Sequence, residues 1–378
     1  MPEPAAPLRV LAIAEDLRGL VTACRVHAPL MTLKRQGLVA DYRVADSSLA
    51  GVPPDFPFDV LWVQRAPAPR VAERIVGRFS GAYLHDMDDL LITEPSYVPN
   101  GEFPDRDSLL AVVAGAAVFT APSARLVHLV EKHGELSLVK RSMICPNALE
   151  LPAQPPRVPA RPAGLIFTQS HRLALTESRE AVLKALREFA AQTGLPLYYF
   201  GPSPDVLGRG VSRLLGPIVA CGYLDFWRYH ALLAAWPSMI GVAPLETVGD
   251  VGTLDFVAGK SDVKMVEFGG FGHPAVYSRA APYVDTDLKA GELVDNTFEA
   301  WSSALAAVLY DGWRRSAEEQ TAVAAVRSLE RIATECWAEA LRRARLPEPR
   351  VARDLTPLGS VARGGIQRVM RRLAGSAV

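Results

Sequence analysis

The 378-residue chain is 49% apolar and 22% charged, a composition that excludes disorder and fibrous architecture and leaves room for two hydrophobic cores. Its 41 basic and 41 acidic side chains cancel, so nothing draws the whole molecule to nucleic acid; its four cysteines lie far apart without C-x-x-C spacing, which argues for reduced thiols and against a disulfide frame or zinc site. The N-terminal MPEPAAPLRVLAIAED lacks a basic start and its apolar run is too short for a secretory or membrane-spanning segment, so a cytoplasmic chain is expected.

Along the first 150 residues short apolar runs alternate with segments of helical period, the pattern of a parallel sheet covered by helices. LRVLAIA (8–14) reads as a buried strand, and ACRVHAPLMTLKRQG as a helix with Val26, Leu30 and Leu33 on one face and a stop at Gly37. FDVLWVQ (58–64) and GAYLHD (81–86) read as strands around the helix RVAERIVGRF. AAVFTAPSARLVHLVEKHG follows as a strand to Thr120, an N-cap at Ser123 and a helix closing at Gly134, and SLVKRSMICPNAL ends this half.

Residues 151–163, LPAQPPRVPARPA, hold five prolines and no periodicity, as a stiff linker does. A second series follows over 164–310: strand GLIFTQS, helix ESREAVLKALREFAAQTG, strand PLYYFG, helix FWRYHALLAAW, strand SMIGVAPL, a helix from about Ser261, the strand PAVYS, and helices from Thr297 onward. Residues 311–378 are read as C-terminal helices and a tail, in which the last 38 residues carry nine arginines and two acids. Two α/β units joined by a linker are expected to leave a cleft at the carboxyl ends of their sheets, where such folds bind ligands.

The richest stretch for chemistry is KSDVKMVEFGGFGHPAVYSR, 260–279. Ser261 suits a helix N-cap, so the N–H groups of Val263 and Lys264 would point out of a helix start, an arrangement that receives anions. Lys264 could add a point charge to a phosphate, and Glu267, one turn later, could accept hydrogen bonds from a ribose or sugar diol. The same residues equally describe a capped helix with a surface Lys–Glu pair, and His273-Pro274 a turn before a strand. In FTQSHRLALTESRE, His171 and Arg172 stand at a strand-to-helix junction that on local features reads as a solvent-facing loop. HDMDD, 85–89, ends a strand of the first half. Its Asp86-x-Asp88 has the spacing of a D-x-D metal site and the cluster could cap the next helix, but it also resembles the Y-D-x-D-D-x-L run of a GT-B glycosyltransferase subgroup, which implies that His85, Asp86, Asp88 and Asp89 line the acceptor side.

In the order and spacing of these pieces, over about residues 8–310, the chain resembles the retaining glycosyltransferases of the GT-B fold, of the glycosyl transferases group 1 type. SDVKMVEFGGFGHPAVYSRAAPY is similar to that family's donor-binding segment, CRVHAPLMTLKRQG to its first helix, FTAPSARLVHLVEKHG to its serine-started helix and ICPNALEL to the run at its domain crossover. The resemblance implies two Rossmann-like domains facing each other across a cleft. The first, 1–150, would hold the acceptor and the second, 164–310, a nucleotide-sugar. It places Glu267 on the nucleotide ribose, the amides near Val263 and Lys264 with Ser261 at the diphosphate, and His171 and Arg172 near it. Lys264, Glu267 and Asp86 are then the residues expected to serve catalysis.

Where the family has a glutamate eight positions before Glu267, this chain has Gly259; FVAGKS resembles the F-N-x-x-K-S of a subgroup, with Val257 at the asparagine. Glu246, Asp250 and Asp255 are the nearby carboxylates that could replace it. A same-face transfer needs no dedicated base, no metal and no other cofactor; an inverting one would need a base such as His27, His85 or Asp86. The implied partners are a nucleotide-sugar and a saccharide or lipid-linked acceptor, in surface polysaccharide or glycoconjugate assembly. The other readings are a binding protein that has lost transfer activity and a nucleotide-sugar 2-epimerase. VARGGIQRVMRRLAGS either forms a helix for an anionic membrane surface, or is a disordered basic end, or packs on the core.

Overall fold

The computed structural model describes residues 6–98, 103–150, 157–169, 177–204 and 210–355, which form two compact units. The first comprises Met1–Thr93, Asn100–Pro146 and Leu329–Val378; the second, Glu94–Pro99 and Asn147–Ser328. The expected boundaries at 150, 163 and 310 differ from these. Residues 151–156 of the proline-rich segment lie outside the described residues, whereas Arg157 is docked on the second unit: its guanidinium donates to the carbonyls of Leu233, Ala234 and Trp236, and its N–H to Gln320 Oε1. Those carbonyls end a helix and need donors, so an arginine is held there as an external cap.

The first unit is built on a six-stranded parallel sheet made of β1 (Leu8–Ala14), β2 (Val39–Ala45), β4 (Val60–Gln64), β5 (Leu84–Asp86), β6 (Val118–Ala121) and β7 (Ser142–Ile144), in the order β2-β1-β4-β5-β6-β7. Its central strands are buried along their whole length because helices cover both faces, which is why they read as unbroken apolar runs. Leu11, Ile13, Leu61 and Val63 pack against Val71, Ile75 and Phe79 of the helix Pro69–Phe79. Ser123 caps the helix Ala124–Gly134, accepting from Leu126 N at 3.2 Å. The first helical stretch contains a π-turn, Ala23–His27, directly ahead of Pro29, which has no N–H to offer the ladder. The C-terminal residues return to this unit. Trp337 stacks on Trp62 with centroids 4.6 Å apart, and β14 (Arg350–Val351) pairs antiparallel with β3 (Pro57–Phe58).

The second unit repeats the plan with β8 (Leu165–Thr168), β9 (Leu197–Phe200), β10 (Val219–Gly222), β11 (Ile240–Ala243), β12 (Ala275–Ser278) and β13 (Glu292–Val294), all parallel, in the order β10-β9-β8-β11-β12-β13. Phe167, Val182, Leu186, Val242 and Trp301 fill one side of the sheet; Ile166, Phe200, Leu233, Phe268 and Tyr277 fill the other. Gly241 in β11 lets the helix Val263–Gly270 sit close, since a Cβ there would lie 2.4 Å from the Phe268 ring. Strand order reverses between β8 and β11, so the carboxyl ends of these two strands form the switch point at which doubly wound sheets take ligands.

Among the described residues no helix is long and apolar enough to cross a membrane.

Candidate functional site

The helix Val263–Gly270 carries the residues that the sequence places at a donor site. Its period brings Lys264 and Glu267 onto one side, three residues apart, with Nζ 2.7 Å from Oε2. The second carboxylate oxygen, Oε1, lies 3.3 Å from Nε2 of His230, which comes from the helix Phe226–Ala235. Both partners are largely enclosed, the Glu267 side chain 8% and that of Lys264 20% exposed. Burial alone would raise the Glu267 pKa, but the Lys264 charge and the His230 hydrogen bond outweigh it and hold the group at about 2. Burial likewise works against the Lys264 charge, and the neighbouring Glu267 more than restores it, so the ammonium is held above its ordinary range. Glu267 is therefore a fixed anion that can only accept. Tyr229 lines the same side: its hydroxyl is 3.0 Å from Thr168 Oγ1 at the end of β8, and Lys264 Nζ lies 5.3 Å from its ring centroid. The group thus sits at the carboxyl edge of the second sheet.

Ser261 differs from its expected role. The N-cap is Asp262, whose side chain makes no capping bond; it accepts instead from Arg327 Nη2 at 2.7 Å and Thr286 Oγ1 at 2.5 Å. The Ser261 hydroxyl accepts from Asn147 Nδ2 at 2.7 Å. The helix starts one residue later than read because two long-range contacts, not a local cap, hold the residues ahead of it. Backbone bonds into Asp262 O come from Met265 N and Val266 N, so Val263 and Lys264 are the first-turn amides lying before them.

His171 and Arg172 lie outside the described residues. Of the replacement carboxylates, Asp250 caps the helix Val251–Ala258 by accepting from Thr253 N at 2.8 Å. Glu246, 2% exposed, accepts from Ser178 Oγ at 2.9 Å and from the N–H groups of Thr247 and Val248. It ties its loop to the start of the helix Glu177–Thr193. Gly259 is the C-cap of the helix Val251–Ala258. His273, read as part of a turn, is a buried structural residue: Nδ1 accepts from Met239 N, and Nε2 lies 2.9 Å from Leu233 O. Burial, helped by Arg157, takes its pKa down to about 3, so it stays neutral.

The HDMDD cluster is corrected in part. Asp86 is fully buried and clamped by Arg25, with Nη2–Oδ1 2.6 Å and Nε–Oδ2 3.2 Å, while Thr120 Oγ1 donates to it at 2.8 Å. Arg25 is itself sealed in, with Nη1 on Cys145 O and its guanidinium 4.8 Å from the Trp337 ring centroid. A carboxylate so enclosed neutralises a core arginine; it is neither an exposed wall nor a catalytic group. His85 is also fully buried, its Nε2 2.9 Å from Arg65 O, and burial pushes its pKa down to about 4. With no exposed surface and Nε2 committed to a backbone carbonyl, this imidazole cannot touch an acceptor, and its lowered pKa makes it a weak base. Burial also lowers His27. Asp88 and Asp89 share one arginine, Arg65, with Nε–Oδ1 2.6 Å and Nη2–Oδ2 2.9 Å to Asp88 and Nη2–Oδ2 3.0 Å to Asp89. Asp86 and Asp88 thus face different arginines, and the D-x-D spacing does not present two carboxylates to one ion.

Sequence reasoning missed His230, Tyr229 and Arg327, and it read Asn147 only as part of the ICPNALEL run, not as a partner of Ser261. His230 stands 37 residues from Glu267, Arg327 65 from Asp262 and Asn147 114 from Ser261, and no local spacing signals any of these pairings.

No family model matches the chain, and neither does any curated protein. Solved structures do. The glycosyltransferase AviGT4, involved in avilamycin A biosynthesis, is 16% identical with a TM-score of 0.52, over 91% of this chain and 99% of that one. Anabaena Alr3699/HepE, solved in complex with UDP and glucose, is 13% identical with a TM-score of 0.56, over 89% and 99%. The UDP-GlcNAc 2-epimerase of Neisseria meningitidis, bound to UDP-GlcNAc, is 9% identical with a TM-score of 0.52, over 86% and 97%. The likeness is one of fold: two Rossmann-like units of the GT-B type.

Proposed function

We propose that the chain is a glycosyltransferase that moves a sugar from a nucleotide-sugar to a saccharide or lipid-linked acceptor. The observation that carries this is the Lys264–Glu267–His230 group at the carboxyl edge of the second sheet. A carboxylate held ionised can accept from both hydroxyls of a ribose, and the first-turn amides of Val263 and Lys264 suit a diphosphate. Transfer is with retention. In that chemistry the departing diphosphate takes part in deprotonating the acceptor, and the protein supplies orientation and positive charge, from Lys264 and the helix start with His171 and Arg172. Asp88 and Asp89, with Arg65, stand at the carboxyl edge of the first sheet as the acceptor side.

The test is incubation with a panel of nucleotide sugars, with and without cell-extract acceptors. Acceptor-dependent release of nucleoside diphosphate is expected. Conversion of the donor to another sugar would favour a 2-epimerase, a reading supported by the epimerase of similar fold. Binding without turnover would indicate a degenerate transferase, as Gly259 and Val257 suggest. Failure to bind any nucleotide would end all three. The basic tail is assigned to a peripheral contact with anionic membrane in the cytoplasm; deleting 356–378 should then abolish co-sedimentation with phosphatidylserine vesicles.

A further inference from the structure

His230 is fixed where it is by aromatic packing. Its ring lies 4.0 Å from that of Phe226, on its own helix, and 5.3 Å from that of Phe271, which follows directly on the helix bearing Glu267. The residue is 8% exposed. An ionised carboxylate cannot donate, so the proton between His230 Nε2 and Glu267 Oε1 must belong to the imidazole. The separation of 3.3 Å is at the long end of the hydrogen-bond range, and the charge of the acceptor strengthens it.

A carboxylate has about four lone-pair sites. Among the described residues Lys264 takes one on Oε2 and His230 one on Oε1. Two remain, one on each oxygen, which is the number that the two hydroxyls of a vicinal diol would fill. With Lys264 alone the group could turn about its terminal torsion, a broad and soft one. A second anchor on the other oxygen removes that freedom, and it comes from a different helix, so the carboxylate plane is set by the packing of Phe226–Ala235 against Val263–Gly270. Besides His230, four ionisable groups stand near Glu267, namely Lys264, Tyr229, Tyr277 and Tyr283, and burial raises all three tyrosines, so none of them supplies a competing negative charge near neutrality.

We propose that His230 is a positioning residue that holds the Glu267 carboxylate in the plane needed to receive both ribose hydroxyls, and that it thereby sets a preference for ribonucleotide over deoxyribonucleotide donors. This rests on the nucleotide-sugar reading of the site. The measurement is the affinity of the full chain for UDP and for 2′,3′-dideoxyuridine diphosphate, by calorimetry, in the wild type, E267Q, H230L, H230N and H230Q.

The wild type is expected to favour UDP by about tenfold or more, the worth of a charged hydrogen bond or somewhat less than two. E267Q should lose most of that preference. H230L should lose it too, mainly through weaker UDP binding, with the dideoxy compound little affected. Glutamine, whose amide nitrogen reaches about as far as Nε2, should restore the preference, and asparagine should not. An unchanged ratio in H230L, or equal weakening of both compounds, overturns the positioning role, because damage to the fold would not distinguish the two sugars. If H230L does not fold, the H230Q and H230N pair decides: the same ratio in both overturns it. A wild type that binds both compounds equally overturns this inference alone; one that binds neither is put through the same comparison with ADP and GDP and their dideoxy forms, and failure to bind any nucleoside diphosphate overturns the nucleotide-sugar reading with it.

Discussion

Glu267 and Asp86 are both carboxylates buried beside a cation, yet their surroundings give them different work. Glu267 keeps a partly exposed lysine and a histidine as partners, whereas Asp86 is spent on an arginine with no exposed surface to speak of. Replacing Glu267 by Ala should weaken UDP binding by about 1.5 to 3 kcal/mol, the cost of a charged hydrogen bond, as read by calorimetry. Its pKa of about 2 lies below the ordinary carboxyl value, so its stabilisation is present above the unfolded pKa and is lost as pH falls through that value toward 2. The difference in melting temperature between wild type and E267Q should therefore be largest near neutrality and shrink on acidification below about pH 4.5. Asp86→Asn should cost about 3 to 5 kcal/mol of stability, because it leaves Arg25 charged and unpaired in a core. Chemical denaturation checks the loss, and the folded fraction should still bind UDP with wild-type affinity, a result that would separate Asp86 from the donor site.

Elements buried on both faces were legible in the sequence because a short, unbroken apolar run rich in branched residues fits little besides a strand covered on both sides. LRVLAIA, FDVLWVQ and the strand ending at Thr120 are of this kind. Edge strands were not. β2 alternates little and is only half-buried, and β10 is largely exposed, so neither carries a strong hydrophobic signal. The helix Arg106–Gly115, capped by Asp105 through Ser108 N, is apolar nearly all round and hides its period. The Lys264–Glu267 spacing was readable, since helical geometry alone brings the pair together; the contacts of Asn147 and Arg327 with the residues ahead of that helix exist only after the chain has folded. The seat of the helix depends on the absence of a side chain in β11. Gly241→Ala would drive a methyl group into the Phe268 ring and should cost about 1 to 3 kcal/mol, with a matching loss of UDP affinity if the shift reaches Glu267. Thermal melting and calorimetry on the same sample would show both.

For the molecule as a whole, the departure from the sequence reading is that the C-terminal residues complete the first unit. Leu329–Ile332, Ala333–Trp337 and Ala338–Arg343 supply Trp337 to the Trp62 ring, and Leu346 N donates to Asp59 O at 2.8 Å. The proline-rich segment was visible as a break in periodicity, but nothing local announces a return from residue 329 to strands made at the start. A chain ending at Ser328 should keep its second unit and lose the first. Limited proteolysis is expected to leave a protected fragment containing 157–328 and to digest residues before 147, and equal protection of both would show that the return is dispensable.

That return also sets an order of events during synthesis. The second unit is nearly continuous in the chain, so once Ser328 has left the ribosome it has almost all it needs to fold. The first unit, although made earlier, must wait with the face around Trp62 and Arg25 uncovered until Trp337 and β14 emerge. The earliest-made half is thus the last to be finished, and the interval between residues 146 and 355 is the time for which a chaperone would find it open.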